Sequence, residues 1–171
     1  MKLSRLLVVC SLIFVIIGCG YRPSAYYAKK ELKGKVFVNL LLNLEDPRNI
    51  VLIKDAMNEI LVHRLGEKIV DDASKADTIM NLELKSASIS AVQEDVDGYG
   101  EVYKATVNIA VSYKNSENSG SFTVTGSDEF TTESDSDGVI TDTSRYEGIK
   151  EASSKAMEEV ISKLAINSLK K

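Results

Sequence analysis

Tryptophan is absent from the 171 residues, aromatic side chains make up only 6%, and the chain has two prolines, two cysteines and one histidine. Each scarcity removes a class of function. With no Trp and few Phe and Tyr, a stacking platform for sugar rings or bases has little to build on. A single histidine, His63, and so few thiols cannot assemble the usual zinc site. No Ser-His-Asp arrangement has local support and no phosphate-cradling glycine loop occurs. Positive charge is scarce as well: 21 Lys and Arg stand against 25 Asp and Glu, so nothing pulls the chain toward nucleic acid. His63 shares a helix side with Glu59, outside the apolar stripe, and reads as a surface residue. The expectation is a protein that is not an enzyme, with no catalytic residue, no metal ligand and no cofactor.

One long apolar run is present, Leu6 to Gly18, behind the cations Lys2 and Arg5. That is how a secretory signal peptide begins, and its 13 residues fall short of the roughly 20 that a spanning helix needs. At its end Ile16-Ile17-Gly18-Cys19 resembles the lipobox of bacterial lipoproteins. The resemblance implies removal of residues 1–18 by cleavage between Gly18 and Cys19, and a covalent lipid anchor on Cys19, diacylglycerol plus an N-acyl chain. More than one acyl chain anchors durably where one is marginal. Gly20, rather than Asp, follows the cysteine, which resembles an outer-membrane address. Cys10 would leave with the leader, so the remaining chain could form no internal disulfide and would keep no oxidisable thiol in the periplasm.

Without Lys2 and Arg5 the chain keeps 19 basic and 25 acidic residues, a net of −6. Residues 19–34 read as a lipidated tether. From Tyr21 to Lys35 the segment carries Arg22, Lys29, Lys30, Lys33 and Lys35 with one acid, Glu31, which suits either contact with anionic head groups or a plain linker. Residues 35–171 read as a single domain, long enough to bury a real core.

Periodicity supplies its elements. Val36, Val38, Leu40 and Leu42 alternate in a first strand over 35–44. Asp46-Pro47 is a helix start, and Ile50, Ile53, Met57, Ile60, Leu61 and Leu65 recur at helical spacing up to a Gly66 cap. Residues 68–72 suffice only for a short extended piece. A long strand follows over 77–95, whose inward phase shifts from Met80, Leu82 and Leu84 to Ile89 and Ala91, predicting a bulge across 86–88. Asp97-Gly98 signals a hairpin. Tyr103, Ala105, Val107, Ile109, Val111 and Tyr113 then alternate with Lys104, Thr106, Asn108, Ser112 and Lys114, giving one dry and one wet face. A turn at 115–120 leads to a fourth strand reaching about Thr132. A closing helix is expected from about Arg145 to Leu169, with Ser144 and Glu147 as capping box and Ile149, Ala152, Ala156, Val160 and Leu164 as stripe. The fold class is α+β: two helices on one face of a four-stranded mixed sheet, in the order β-α-β-β-β-α. The fragment Glu133 to Ile140 resembles a calcium loop, but position twelve is Ser144 where a bidentate Glu is required; it reads as a solvated acidic loop.

Cys19-Gly20-Tyr21 after the signal, a first strand running into Asp46-Pro47, "DDASKADTIMNLELKSASIS", "EVYKATVNIAVSY" and a final helix ending in "ISKLAINSL" are together similar to the LPS-assembly lipoprotein family, LptE. The resemblance covers the chain from Cys19 onward and lies in the order of loose motifs. It implies a plug in the lumen of the outer-membrane barrel LptD, aiding barrel assembly and passage of lipopolysaccharide to the cell surface, with the domain on the periplasmic side or within the lumen. Lipopolysaccharide carries phosphates, so a net-acidic protein needs local cations; Lys85 and Lys104, on the wet side, are the candidates, against an ordinary surface role. The strand-helix start and "ADTIMNLEL" also resemble lipoproteins of the CsgG and LpoB type, which assemble pores or activate a peptidoglycan synthase. A periplasmic scaffold lipoprotein is the third reading.

Overall fold

In the computed structural model residues 23–41, 47–94, 100–131 and 140–170 are described. The chain runs α1 (Ser24–Glu31), β1 (Lys35–Leu41), α2 (Pro47–Glu59, continued by a π turn over Ile60–Arg64), β2 (Lys68–Ile69), a 3-10 turn (Ala73–Lys75), β3 (Thr78–Glu94), β4 (Gly100–Lys114), β5 (Ser119–Thr131) and α3 (Asp142–Leu169).

The strands form one mixed sheet in the order β2-β1-β3-β4-β5. β1 pairs in parallel with β2 and β3, as a crossover through α2 requires, whereas β3, β4 and β5 are an antiparallel meander. The inward faces supply Val36, Val38, Met80, Leu82, Val107, Ile109, Val111 and Val124, all buried. Ile53, Met57 and Leu61 from α2 and Ala152, Ala156, Met157, Val160 and Leu164 from α3 close over them. The small residues let α3 lie directly on the sheet. A Cβ at Gly126 of β5 would collide with Ala152 O and Ala156 N. At the end of α2 the chain turns through Gly66 at φ +63°, and the Glu67 N–H bonds Leu61 O at 2.9 Å.

The α+β class and the one-sided layering hold, but among the described residues the sheet has five strands and the layer three helices. The piece at 68–72 joins the sheet because Lys35 and Val36 register against Lys68 and Ile69. Part of the segment expected as a solvated tether is helix α1, with Ala28 and Leu32 buried in the core. The physical reason is that Ala25, Ala28 and Leu32 fall at helical spacing on one side of a run whose lysines occupy the other. α3 begins at Asp142 instead of Arg145, because Thr141 is the cap: its Oγ1 accepts the Ser144 N–H at 3.1 Å. Ser144 is therefore inside the first turn. The Asp97-Gly98 hairpin, the acidic fragment at 133–139, and Gly18 and Cys19 lie outside the described residues.

Candidate interaction face

The face of the sheet turned away from the helices is polar, and the strand register orders its side chains into rows. Asn39, Asn81, Ser112 and Ser121 stand opposite one another across four strands. Asn39 Nδ2 donates to Asn81 Oδ1 at 2.9 Å, and Asn81 Nδ2 reaches Ser112 Oγ at 3.5 Å. In a second row Asn108 Nδ2 donates to Ser86 Oγ (2.9 Å) while Thr125 Oγ1 donates to Asn108 Oδ1 (2.6 Å). Ser88, Thr106 and Ser127 register as a third. Each such cross-strand pair contributes about 0.2–1 kcal/mol. The rows offer hydroxyl and amide groups, which donate and accept without titrating near neutral pH.

A groove of about 310 Å³ crosses this face, lined by Leu41, Asn81, Glu83, Ser112, Ser121 and Thr123 with Phe122 at its side. Leu41 of β1, in its lining, is 45% exposed, and Ile79 of β3, on the same face, is 39% exposed. Two ion pairs stand beside these rows, and Lys114, exposed on the same face, has no such partner among the described residues. Lys85 Nζ lies 2.7 Å from Glu83, and Lys104 Nζ lies 3.7 Å from Glu129.

Both lysines chosen from the sequence thus lie on the wet face, but the structure does not bring them together. Lys104 is registered opposite Ser90, five residues beyond Lys85, which is about 15 Å of strand. Lys85 is itself the bulge residue: Leu84 pairs with Ile109 and Ser86 with Asn108, leaving no partner position for it. The phase shift expected across 86–88 is present one residue earlier. His63 is exposed in the π turn, as expected of a surface residue, next to Arg64, which pairs with Glu158 at 2.7 Å. Among the described residues no three His, Cys, Asp or Glu side chains group as metal ligands do, and no helix is long and apolar enough to cross a membrane.

A buried polar cluster sits where α1 meets the sheet. Tyr113 Oη donates to Glu31 Oε2 at 2.6 Å, and both residues are 2% exposed. Burial above all, then the bond to Glu31, pushes the Tyr113 hydroxyl up to about 12, against the opposite pull of a bond to Asn167. Asn115 Nδ2 donates to Glu31 O, and Thr78 Oγ1 both accepts from the Lys33 N–H and donates to Lys33 O. Burial likewise raises the Glu67 carboxyl, while the nearby Lys29 lowers it. Sequence reasoning missed α1 and the rows. The wet positions were visible strand by strand, but their alignment depends on register between segments far apart in the chain.

No protein-family model matches the sequence, and no curated protein sequence matches it. Solved structures do share its fold. Rare lipoprotein B from Shewanella oneidensis superposes with a TM-score of 0.52 at 13% identity, covering 80% of this chain and 98% of its own. A candidate lipoprotein from Caulobacter crescentus CB15 gives 0.52 at 10% identity, covering 86% and 97%. Protein XCC0632 from Xanthomonas campestris gives 0.54 at 9% identity, covering 82% and 88%. At such identities the likeness is one of fold: a mixed sheet with helices on one face.

Proposed function

We propose that the chain is an outer-membrane lipoprotein, anchored by lipid on Cys19, which works by contact rather than turnover and serves as plug and assembly partner of the LptD barrel in lipopolysaccharide transport. The observation that carries this reading is the sheet face of ordered Ser, Thr and Asn rows, backed by a dry helical layer. A body that sits in the polar interior of a transmembrane barrel needs a polar exterior, and a face of hydroxyls and amides with Lys85 and Lys104 already paired satisfies many partners with little demand for counter-ions. The fold shared with rare lipoprotein B and the Caulobacter protein supports the lipoprotein part. Lipopolysaccharide phosphates would reach Lys85 and Lys104 by displacing Glu83 and Glu129. Exposed pairs of this sort are worth about 0–1 kcal/mol, so the exchange is cheap.

Affinity purification from detergent-solubilised outer membrane tests the reading. Recovery of a large β-barrel is the expected result; recovery of a cell-wall synthase instead would favour the CsgG and LpoB type of lipoprotein and overturn it. Lipopolysaccharide binding unchanged by Lys85→Ala with Lys104→Ala would remove the two lysines from the scheme.

A further inference from the structure

The docked helix α1 changes how the body stands on its anchor, and we infer that the end of the molecule carrying α1 is a docking surface for an anionic phospholipid bilayer. The inference rests on the lipid at Cys19 proposed above and is independent of the barrel partner.

Ser24 follows Cys19 by five residues, a reach of at most about 17 Å when fully extended. Beyond Ser24 there is no slack. Ala28 and Leu32 are buried, Glu31 is held by Tyr113, and both backbone groups of Lys33 are bonded to Thr78 Oγ1. The anchor therefore keeps the start of α1 within about two Debye lengths of the head groups at physiological ionic strength, with Lys29 and Lys30 about one and a half turns further along the helix. What α1 presents there is suited to them. Tyr26 is 44% exposed, Lys29 and Lys30 are exposed, and Lys30 Nζ lies 5.0 Å from the Tyr26 ring centroid. An amphipathic ring beside a cation is the pairing favoured at the membrane interface. The one acid of α1, Glu31, points inward. Past the helix Lys33 pairs with Glu117 at 3.0 Å, and Lys29 lies near Glu67, so part of their charge is offset locally and Lys30, over the Tyr26 and Tyr27 rings, is the cation that α1 presents most openly. The chain from Cys19 onward carries a net −6, so an anionic surface repels the body at large and selects this end.

The absence of Trp makes the test clean. The chain lacking residues 1–18, whose one thiol is Cys19, is coupled to a maleimide lipid in phosphatidylglycerol-containing vesicles with spin-labelled head groups. Tyr26→Trp reports from α1, and Ser90→Trp reports from about 40 Å up β3 from Thr78. The expected result is severalfold quenching for Tyr26→Trp, none for Ser90→Trp, and loss of the quenching when Lys29→Glu and Lys30→Glu are added or when phosphatidylcholine replaces the anionic lipid. Equal quenching at both positions, none at Tyr26→Trp, or quenching indifferent to lipid charge overturns the inference. Circular dichroism checks that each variant is folded. Because the coupling supplies the anchor, the outcome does not depend on cellular lipidation, which mass spectrometry of Cys19 in the native protein tests separately.

Discussion

Tyr113 joins α1 to the sheet through a single hydroxyl, and its chemistry is readable in a pH titration. Its folded-state pKa is raised from 10.0 to about 12, so the native state holds the proton more tightly than the unfolded chain does. The associated stability is complete below pH 10, and is lost as pH rises toward 12. Urea denaturation across that alkaline window is expected to show falling stability, and Tyr113→Phe to flatten the fall. At neutral pH the same substitution deprives the buried Glu31 of a donor, costing about 1–3 kcal/mol. Gly126→Ala acts by sterics alone: the added Cβ meets the α3 backbone at Ala152 and Ala156, not a side chain that could swing aside. Overpacking of this kind costs about 1–3 kcal/mol or more, and a thermal melt should show it, with Ser127→Ala on the exposed face as a near-neutral comparison.

Strand β3 shows what an element can store in one residue. Before Lys85 the inward positions are Met80, Leu82 and Leu84; beyond it they are Ala87 and Ile89, opposite Val107 and Ala105. The bulge absorbs the change of phase, so deleting Lys85 leaves Leu84, Ala87 and Ile89 on one side of a regular strand. That deletion is expected to fold, with stability within about 1 kcal/mol of the parent and a straighter sheet. Deleting Asn81 instead turns Leu82 and Leu84 to water and Glu83 and Lys85 inward, until loss of the bulge restores the register at Ser86; this variant should not fold cooperatively. Circular dichroism and urea titration of the two deletions make the comparison, and equal behaviour would contradict the register. The same strand explains what was legible beforehand. Alternation in β4 and the stripe of α3 are intrinsic to one segment, so dry and wet faces could be read directly. The short β2 has only Lys68 and Ile69 in the sheet, too few residues for a period to appear. The rows through Asn39, Asn81 and Ser112 exist only once three distant segments are aligned.

At the scale of the whole molecule, the question is whether the body swings on a leash or is clasped to its anchor. Composition favoured a leash, because five cations and few large apolar residues between Tyr21 and Lys35 look solvated. Only the tertiary partner shows otherwise. Ala28 and Leu32 are buried in the core where α1 packs on α3, and Glu31 finds its donor on β4. A leash exposes the peptide bonds after Lys29, Lys30 and Lys33 to trypsin, whereas a docked helix exposes them only through an opening that breaks these contacts. In the folded protein, cleavage at these sites should be slow and should track the population of the open form. Leu32→Ala removes a buried side chain, which costs about 2–5 kcal/mol. Cleavage after Lys29, Lys30 and Lys33 should then accelerate by one or more orders of magnitude, while sites in β4 change only as far as global stability falls. Mass mapping of early fragments reads both rates in one digest. Rapid cutting after Lys33 in the unaltered chain would mean that α1 is not clasped, and the membrane-facing end would lose the rigidity on which its orientation depends.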